Sequence, residues 1–197
     1  TATGEVTEDG RTATAGQLTV TDPDAGQARF VPMPQAIGTY GVFTVHADGS
    51  WTYQLDNARA DVQGLKTGDQ RTDTITVATS DGTTQQITVT INGADDRAVI
   101  AGTATDEVTE DGATAATGRL TVTDPDAGQA VFVPMPHAAG AYGTFEVHAD
   151  GTWSYQLDNA RPDVQALNAG TKLTDTVTVS SADGTTQQIT VTIRGSD

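Results

Sequence analysis

The chain has 197 residues, no cysteine, and 26 Asp plus Glu against 10 Lys plus Arg, for a formal net charge of −16 at pH 7. That balance repels a phosphate backbone and argues against nucleic-acid binding, and the missing cysteines remove disulfides as a source of stability. No apolar run approaches the roughly 18 residues of a membrane-spanning helix and no charged-then-apolar leader is visible, so no membrane insertion is expected and no export route can be read.

Leu, Ile, Val and Phe together make up about 18% of the chain, which at this charge falls in the range of disordered proteins. Patterning points the other way. QLTVT, FTVHADGSWTYQL, DTITVAT and QQITVTI alternate apolar and polar residues and end at Asp-Gly or Gly-rich turns, as half-buried antiparallel strands do. Residues 1–95 also return as 103–197 at a constant offset of 102, with about 69 of the 95 paired positions identical. A period near 100 residues is too long for a solenoid and matches one β-sandwich. The expected fold is therefore all-β: two tandem Greek-key, immunoglobulin-like sandwiches of about seven strands, at 1–95 and 103–197, joined by an acidic linker at 96–102. Thin cores of this size need an external staple, and bound cations are the candidate left once disulfides are gone.

In chain order, strand A is expected near 3–8, B at 17–22, C at 28–32, D at 41–46, E at 50–55, F at 73–79 and G at 85–92. Asp48-Gly49 and Asp81-Gly82 turn D into E and F into G. Between E and F, NARADVQGLKTGDQ interrupts the pattern, and Val62 and Leu65, three apart, predict one helical turn over the sandwich edge. Its second copy starts with Pro162, which suits that place. With strand direction alternating, Glu8, Asp56, Asp73, Asp95 and Asp96 fall at the pole where the chain leaves the first module. Asp22 and Asp24 fall at the opposite pole. Their counterparts Asp124 and Asp126 face back toward the linker, so up to seven carboxylates are expected at one joint. Calcium suits an all-oxygen set best, since zinc prefers Cys and His and magnesium keeps its waters. Seven carboxylates exceed the need of one ion, so two or more Ca2+ are expected. Asp22, Asp24, Glu110, Asp175 and Asp197 would form incomplete sites at the two ends of the pair.

Other motifs weaken on inspection. Asp22-Pro-Asp24-Ala-Gly26 starts like an EF-hand, but its glycine comes one place early and position 12 is Met33. His46 and His148 stand beside Asp-Gly turns with no nucleophile, so they are expected on the surface, and no enzyme is expected. Trp51 with Tyr53, and Trp153 with Tyr155, share a strand face that could serve as a sugar-stacking platform, but in a chain this poor in large apolar side chains they are expected to form the core.

Five segments, VTEDG, LTVTDPDAG, YGVFTVHADGSWTYQLDN, TDTITV and ITVTINGADD, resemble in order and spacing the VCBS repeat, the bacterial cadherin-like module of large repetitive surface adhesins. The resemblance implies a cadherin-like sandwich and calcium bound between modules by Glu8, Asp95, Asp96, Asp124 and Asp126. LDNA departs from the cadherin pattern by leaving Ala58 where a second acid would sit, which makes Asp73 a substitute and weakens the case for Asp56. It also implies a secreted, monomeric spacer on a bacterial cell surface, whose partners are neighbouring repeats and whose stiffened rod projects a terminal domain for adhesion or biofilm formation. A calcium-dependent polysaccharide-binding module is the alternative, and burial or exposure of the tryptophans separates the two.

Overall fold

Thr, Val and Ile alternate through the second half of each copy, a composition that favours pleated, half-buried backbone, and a pair of nine-residue strands forms there in each copy. The structure is a computed structural model that describes residues 1–24 and 26–196. It divides into two units, Thr1–Asp96 and Arg97–Asp197.

The first unit has seven strands: β1 (Thr3–Thr7), β2 (Ala13–Gln17), β3 (Met33–Ile37), β4 (Gly41–Val45), β5 (Ser50–Leu55), β6 (Gln70–Ala78) and β7 (Thr84–Asn92), with one helical turn, α1 (Ala60–Gln63). One sheet has the order β1-β7-β6 and the other β2-β5-β4-β3. β1 runs parallel to β7, from Thr3 opposite Thr88 to Thr7 opposite Asn92, and β6 runs antiparallel to β7. The core lies between the sheets, with Phe43, Val77, Ile87, Val89 and Ile91 fully buried. The predicted helical turn is present, and Val62 and Leu65 are buried beneath it.

Two strand expectations need correction. The stretch at 28–32 forms only an isolated bridge, Phe30 to Thr79, and the strand lies beyond it at Met33–Ile37. Phe30 is a core side chain, and Pro34, which has no N–H, is tolerated because β3 is an edge strand paired only with β4. Strand B begins earlier than expected, and in the first unit it ends at Gln17.

The second unit repeats the plan with β9 (Thr105–Thr109), β10 (Ala115–Thr123), β11 (Met135–Ala139), β12 (Gly143–Val147), β13 (Thr152–Leu157), α2 (Pro162–Gln165), β14 (Lys172–Ser180) and β15 (Thr186–Arg194). Ahead of them comes β8 (Val99–Gly102), so most of the stretch read as linker is a strand of this unit. Its sheets are β14-β15-β9 and the five-stranded β11-β12-β13-β10-β8. Among the described residues, no helix is long and apolar enough to cross a membrane.

Candidate functional site

The parallel pairing of β1 with β7 decides what gathers at the exit pole of the first unit. Because Thr7 stands opposite Asn92, Glu8 and the segment after β7 leave the sheet side by side. Glu8 is only 1% exposed; its N–H donates to the Asn92 carbonyl at 3.1 Å and its Oε1 accepts from the Ala94 N–H at 3.0 Å. Asp95 Oδ1 accepts from the Thr67 N–H at 3.0 Å, tying the segment to the loop after α1. Gly93 is required on that path, since a Cβ there would meet the Leu65 carbonyl oxygen at 2.6 Å.

A further acid joins this pole that the sequence reading passed over. Asp9, in the left-handed region at φ 51°, accepts from Asn57 Nδ2 at 2.5 Å and Gln63 Nε2 at 3.0 Å. Hydrogen bonds from Gln63 and Asn57, and one shared with Asp96, hold its carboxyl below the ordinary aspartate range. Glu8, Asp9, Asp95 and Asp96 thus lie along one rim. The signal was present in VTEDG, but Asp9-Gly10 reads as turn chemistry before it reads as a ligand. Asp56 is exposed at the end of β5, where its Oδ1 accepts from the Ala58 N–H at 3.3 Å.

Asp73 does not join the rim. It is 1% exposed, and its carboxylate accepts from the N–H groups of Thr39, Tyr40, Gly41 and Thr74 and from the Tyr53 hydroxyl, at 2.8 to 3.1 Å. This network pins the β3–β4 turn to β6 and leaves no lone pair directed outward. Burial, with the Asp73 charge beside it, pushes the Tyr53 phenol well up, so the hydroxyl stays a donor. Asp175 is held in the same way by Ala141, Tyr142, Thr176 and Tyr155. Both aspartates therefore leave the ligand set.

In the second unit Glu110 is 2% exposed, its N–H donates to the Arg194 carbonyl at 3.0 Å, and its Oε1 accepts from the Ser196 N–H at 3.1 Å. Its Oε2 is buried and accepts no hydrogen bond. Asp111 repeats Asp9, accepting from Asn159 and Gln165. Asp197 lies outside the described residues. After β10 the Asp124-Pro-Asp126 turn is closed by the Asp126 N–H on Asp124 Oδ1 at 2.8 Å, and Asp124 Oδ2 is buried without a hydrogen-bond donor. Asp126 is buried, with Gln129 Nε2 at 3.5 Å from its Oδ2. In the first unit Asp22 and Asp24 make the same turn at 2.8 Å, with Asp24 exposed.

Among the described residues, no three His, Cys, Asp or Glu side chains converge in a ready-made metal-holding group. The chemistry of the poles nonetheless suits a hard cation. All the side-chain donors are carboxylate oxygens, and buried oxygens such as Glu110 Oε2 and Asp124 Oδ2 are costly without a positive partner. Nothing here suits zinc, as the three histidines are exposed and His148 pairs with Glu146 at 3.5 Å.

The tryptophans are core residues. Trp51 is 1% exposed and Trp153 2%, and their indole N–H groups donate to the Thr1 and Thr103 carbonyls at 2.9 and 2.8 Å. Each lies on a glycine, Gly16 or Gly118, where a Cβ would stand 2.5 Å from the indole. Tyr53 and Tyr155 are equally buried, stacked at a tilt on Phe43 and Phe145 with centroids 4.5 and 4.6 Å apart. A sugar platform cannot be built from them.

Comparison with known proteins places this geometry. No curated protein matches the chain. Among solved structures, a protocadherin gammaB7 EC3-6 fragment aligns over 100% of the chain and 47% of its own length, at TM-score 0.56 and 15% identity. The protocadherin gamma B2 cadherin domains 3–6 align over 99% and 46%, at 0.52 and 10%. The protocadherin gammaB4 extracellular domain aligns over 100% and 31%, at 0.51 and 16%. The chain spans less than half the length of each, and at these identities the likeness is one of fold. Residues 1–93 and 95–195 each match the bacterial cadherin-like domain. The chain therefore belongs to the bacterial cadherin-like domain family, with a copy of the domain in each half.

Proposed function

We propose that the two domains are extender repeats of a bacterial cell-surface adhesin, stiffened by calcium held at their acidic poles, which project a terminal binding domain from the cell. Family membership supports an extracellular, non-catalytic repeat. The observation that carries the calcium reading is Glu110, a carboxylate 2% exposed whose Oε2 has no hydrogen-bond donor. A buried carboxylate oxygen in that state lacks a positive partner, and a hard divalent ion that accepts irregular oxygen sets is the natural complement.

In this reading Glu8 and Glu110 are fixed by the strand exits, Asp9 and Asp111 by their Asn and Gln partners, and Asp124 and Asp126 by their turn. Each oxygen is held in place before an ion arrives. Asp95 and Asp96 complete the set from the segment between the domains. Calcium would supply the positive charge that a chain of net charge −16 lacks at these points, so that neighbouring domains hold a fixed geometry. Two or more ions are proposed. The polysaccharide alternative has lost its motivating observation with the burial of both tryptophans.

Calcium titration by calorimetry, alongside small-angle scattering with and without chelator, tests ion number and stiffness together. An ion that binds only the folded state adds about 2.7 kcal/mol at a hundredfold excess over Kd. The expected outcome is a fall in Tm and a broader distribution of shapes on chelation; an unchanged Tm and scattering profile would remove calcium from the mechanism. In a protein of residues 1–197 alone, Asp124→Asn should weaken calcium binding more than Asp22→Asn, because there the first domain precedes Asp124 and none precedes Asp22. Equal losses would place each site inside a single domain and end the stiff-joint reading.

A further inference from the structure

The chain has four asparagines. Asn92 precedes a glycine, whereas Asn57, Asn159 and Asn168 each precede an alanine. A glycine after asparagine leaves the peptide nitrogen unshielded by a Cβ, so that nitrogen can reach the side-chain carbonyl carbon. The fold fixes Gly93 at its place, because a Cβ there would also meet the Lys66 carbonyl oxygen at 2.4 Å, and Asn168 confines Gly195 in the same way. What differs is the residue before the glycine. In the second unit it is Arg194, whose guanidinium forms a bidentate pair with Glu107 at 2.5 and 2.6 Å. In the first it is Asn92, whose carboxamide is held at both ends: Oδ1 accepts from Gln70 Nε2 at 2.7 Å and Nδ2 donates to the Val6 carbonyl at 3.3 Å. The backbone is held as well. The Asn92 carbonyl accepts from the Glu8 N–H at 3.1 Å, and the Gly93 N–H donates to the Asp69 carbonyl at 2.9 Å.

We propose that Asn92 is a deamidation site of the first unit, gated by opening of the end of β7, and that its isoaspartate product releases the strand exit that carries Glu8. The only co-reactant is water. The Gly93 nitrogen bonds to Asn92 Cγ as the Cγ–Nδ2 bond breaks, the proton on that nitrogen departs with the leaving ammonia, and a five-membered succinimide remains. Water then opens the ring at either carbonyl, giving aspartate or, with the main chain rerouted through Cγ, isoaspartate. Closing the ring requires the Asn92 ψ angle to leave the extended region that β7 imposes. That rotation breaks the hydrogen bonds to Glu8 and Asp69, and the carboxamide has to leave Gln70 and Val6. The closed strand therefore protects Asn92, and the rate follows the fraction of time the exit is open. The product keeps the exit open, because isoaspartate inserts a methylene into the main chain where Asn92 stands in register with Thr7 of β1. It also adds a carboxylate to the rim of Glu8, Asp9, Asp95 and Asp96. With Arg194 at the matching place, the second unit is spared this reaction.

The test incubates the full chain at mildly alkaline pH, in chelator so that the outcome is independent of the calcium reading, and follows each asparagine by mass spectrometry of its peptide. The mass change from NH2 to OH separates deamidation from isomerisation at the Asp-Gly turns, which leaves the mass unchanged. Conversion is expected at Asn92 while Asn57, Asn159 and Asn168 stay intact, and it should be slower in the folded chain than in urea by on the order of tenfold or more. Gln70→Ala changes an exposed residue and frees Asn92 Oδ1, so it should raise the rate in the folded chain severalfold and leave the rate in urea unaltered. The separated isoaspartate form should exchange the amides of Glu8 and Ala94 faster than the parent, with those of Glu110 and Ser196 unchanged. Equal rates in the folded chain and in urea would overturn the gating. A folded chain in which Asn92 persists while the urea sample converts, and in which Gln70→Ala is no faster, would remove the site. Parental exchange at Glu8 in the isoaspartate form would overturn the release of the strand exit.

Discussion

ATAGQLTVT in the first unit and AATGRLTVT in the second differ at three of nine positions, yet the first ends as a strand at Gln17 and the second continues to Thr123. The four residues that differ in state, LTVT, are identical. What differs is the neighbour, since β8 supplies a ladder partner to Leu120–Thr123 and nothing does so for Leu18–Thr21 among the described residues. Leu120 is fully buried, whereas Leu18 keeps 6% of its surface. Strand propensity in a Thr- and Val-rich segment is thus a readiness to pair, realised only where another backbone offers its N–H and C=O groups.

The largest effect that would sharpen this comparison comes from the shared part of the core. Trp51→Ala and Trp153→Ala should each cost about 3–5 kcal/mol, enough to unfold a thin-cored domain. Calorimetry of the two variants should show one transition lost in each case. If the strand on the open edge matters, the transition that survives in the Trp51 variant, that of the second unit, lies at a higher temperature than the one that survives in the Trp153 variant. Asp73→Asn should cost about 2–4 kcal/mol, because an amide cannot accept from every donor now facing the carboxylate. Its calcium affinity should stay that of the parent; a large loss would return Asp73 to the ligand set.

A smaller effect would make the second unit imitate the first. Ala101→Pro removes a ladder N–H, since Ala101 stands opposite Thr121, two residues before the Thr103 N–H that donates to the Arg119 carbonyl, and about 1–3 kcal/mol of loss is expected, with exchange at Thr121 and Thr123 rising toward that of Thr19 and Thr21. Unchanged protection would show that β8 is not what extends β10. The smallest effect is electrostatic. Burial opposes ionisation of Asp183, but donors from Ser181, Thr185 and the Ala98 N–H outweigh it and hold the carboxyl below the ordinary value of 3.8. A depressed carboxyl contributes stability that is complete above its unfolded pKa and is lost as pH falls below it. Hydrogen exchange at Ala98 should therefore show reduced protection below about pH 4, and Asp183→Asn should flatten that dependence. A profile unaltered by Asp183→Asn would detach this carboxylate from the anchoring of β8.

The repeat, the all-β class, the central strands and the helical turn were legible in the sequence because each rests on local chemistry: period-two alternation, Asp-Gly turns, and Val62 and Leu65 on one face. So were Glu8, Asp95 and Asp96 as neighbours, since alternating strand directions alone bring them to one pole. Three features were decided only by tertiary structure. Asp73 belongs to a buried network and Asp9 to the acidic rim, which no sequence pattern separates, because only the fold shows that five donors converge on one while the other stands beside Asp96. Trp51 and Trp153 were expected in the core from the scarcity of other large apolar side chains, but only the fold shows how they are held there, with Gly16 and Gly118 beneath the indoles letting the sheet close over them. The stretch at 96–102 looked like a linker because it is acidic at one end and short, but Ile100 and Gly102 meet an open edge on β10, and a backbone edge that can be paired recruits whatever extended segment lies within reach.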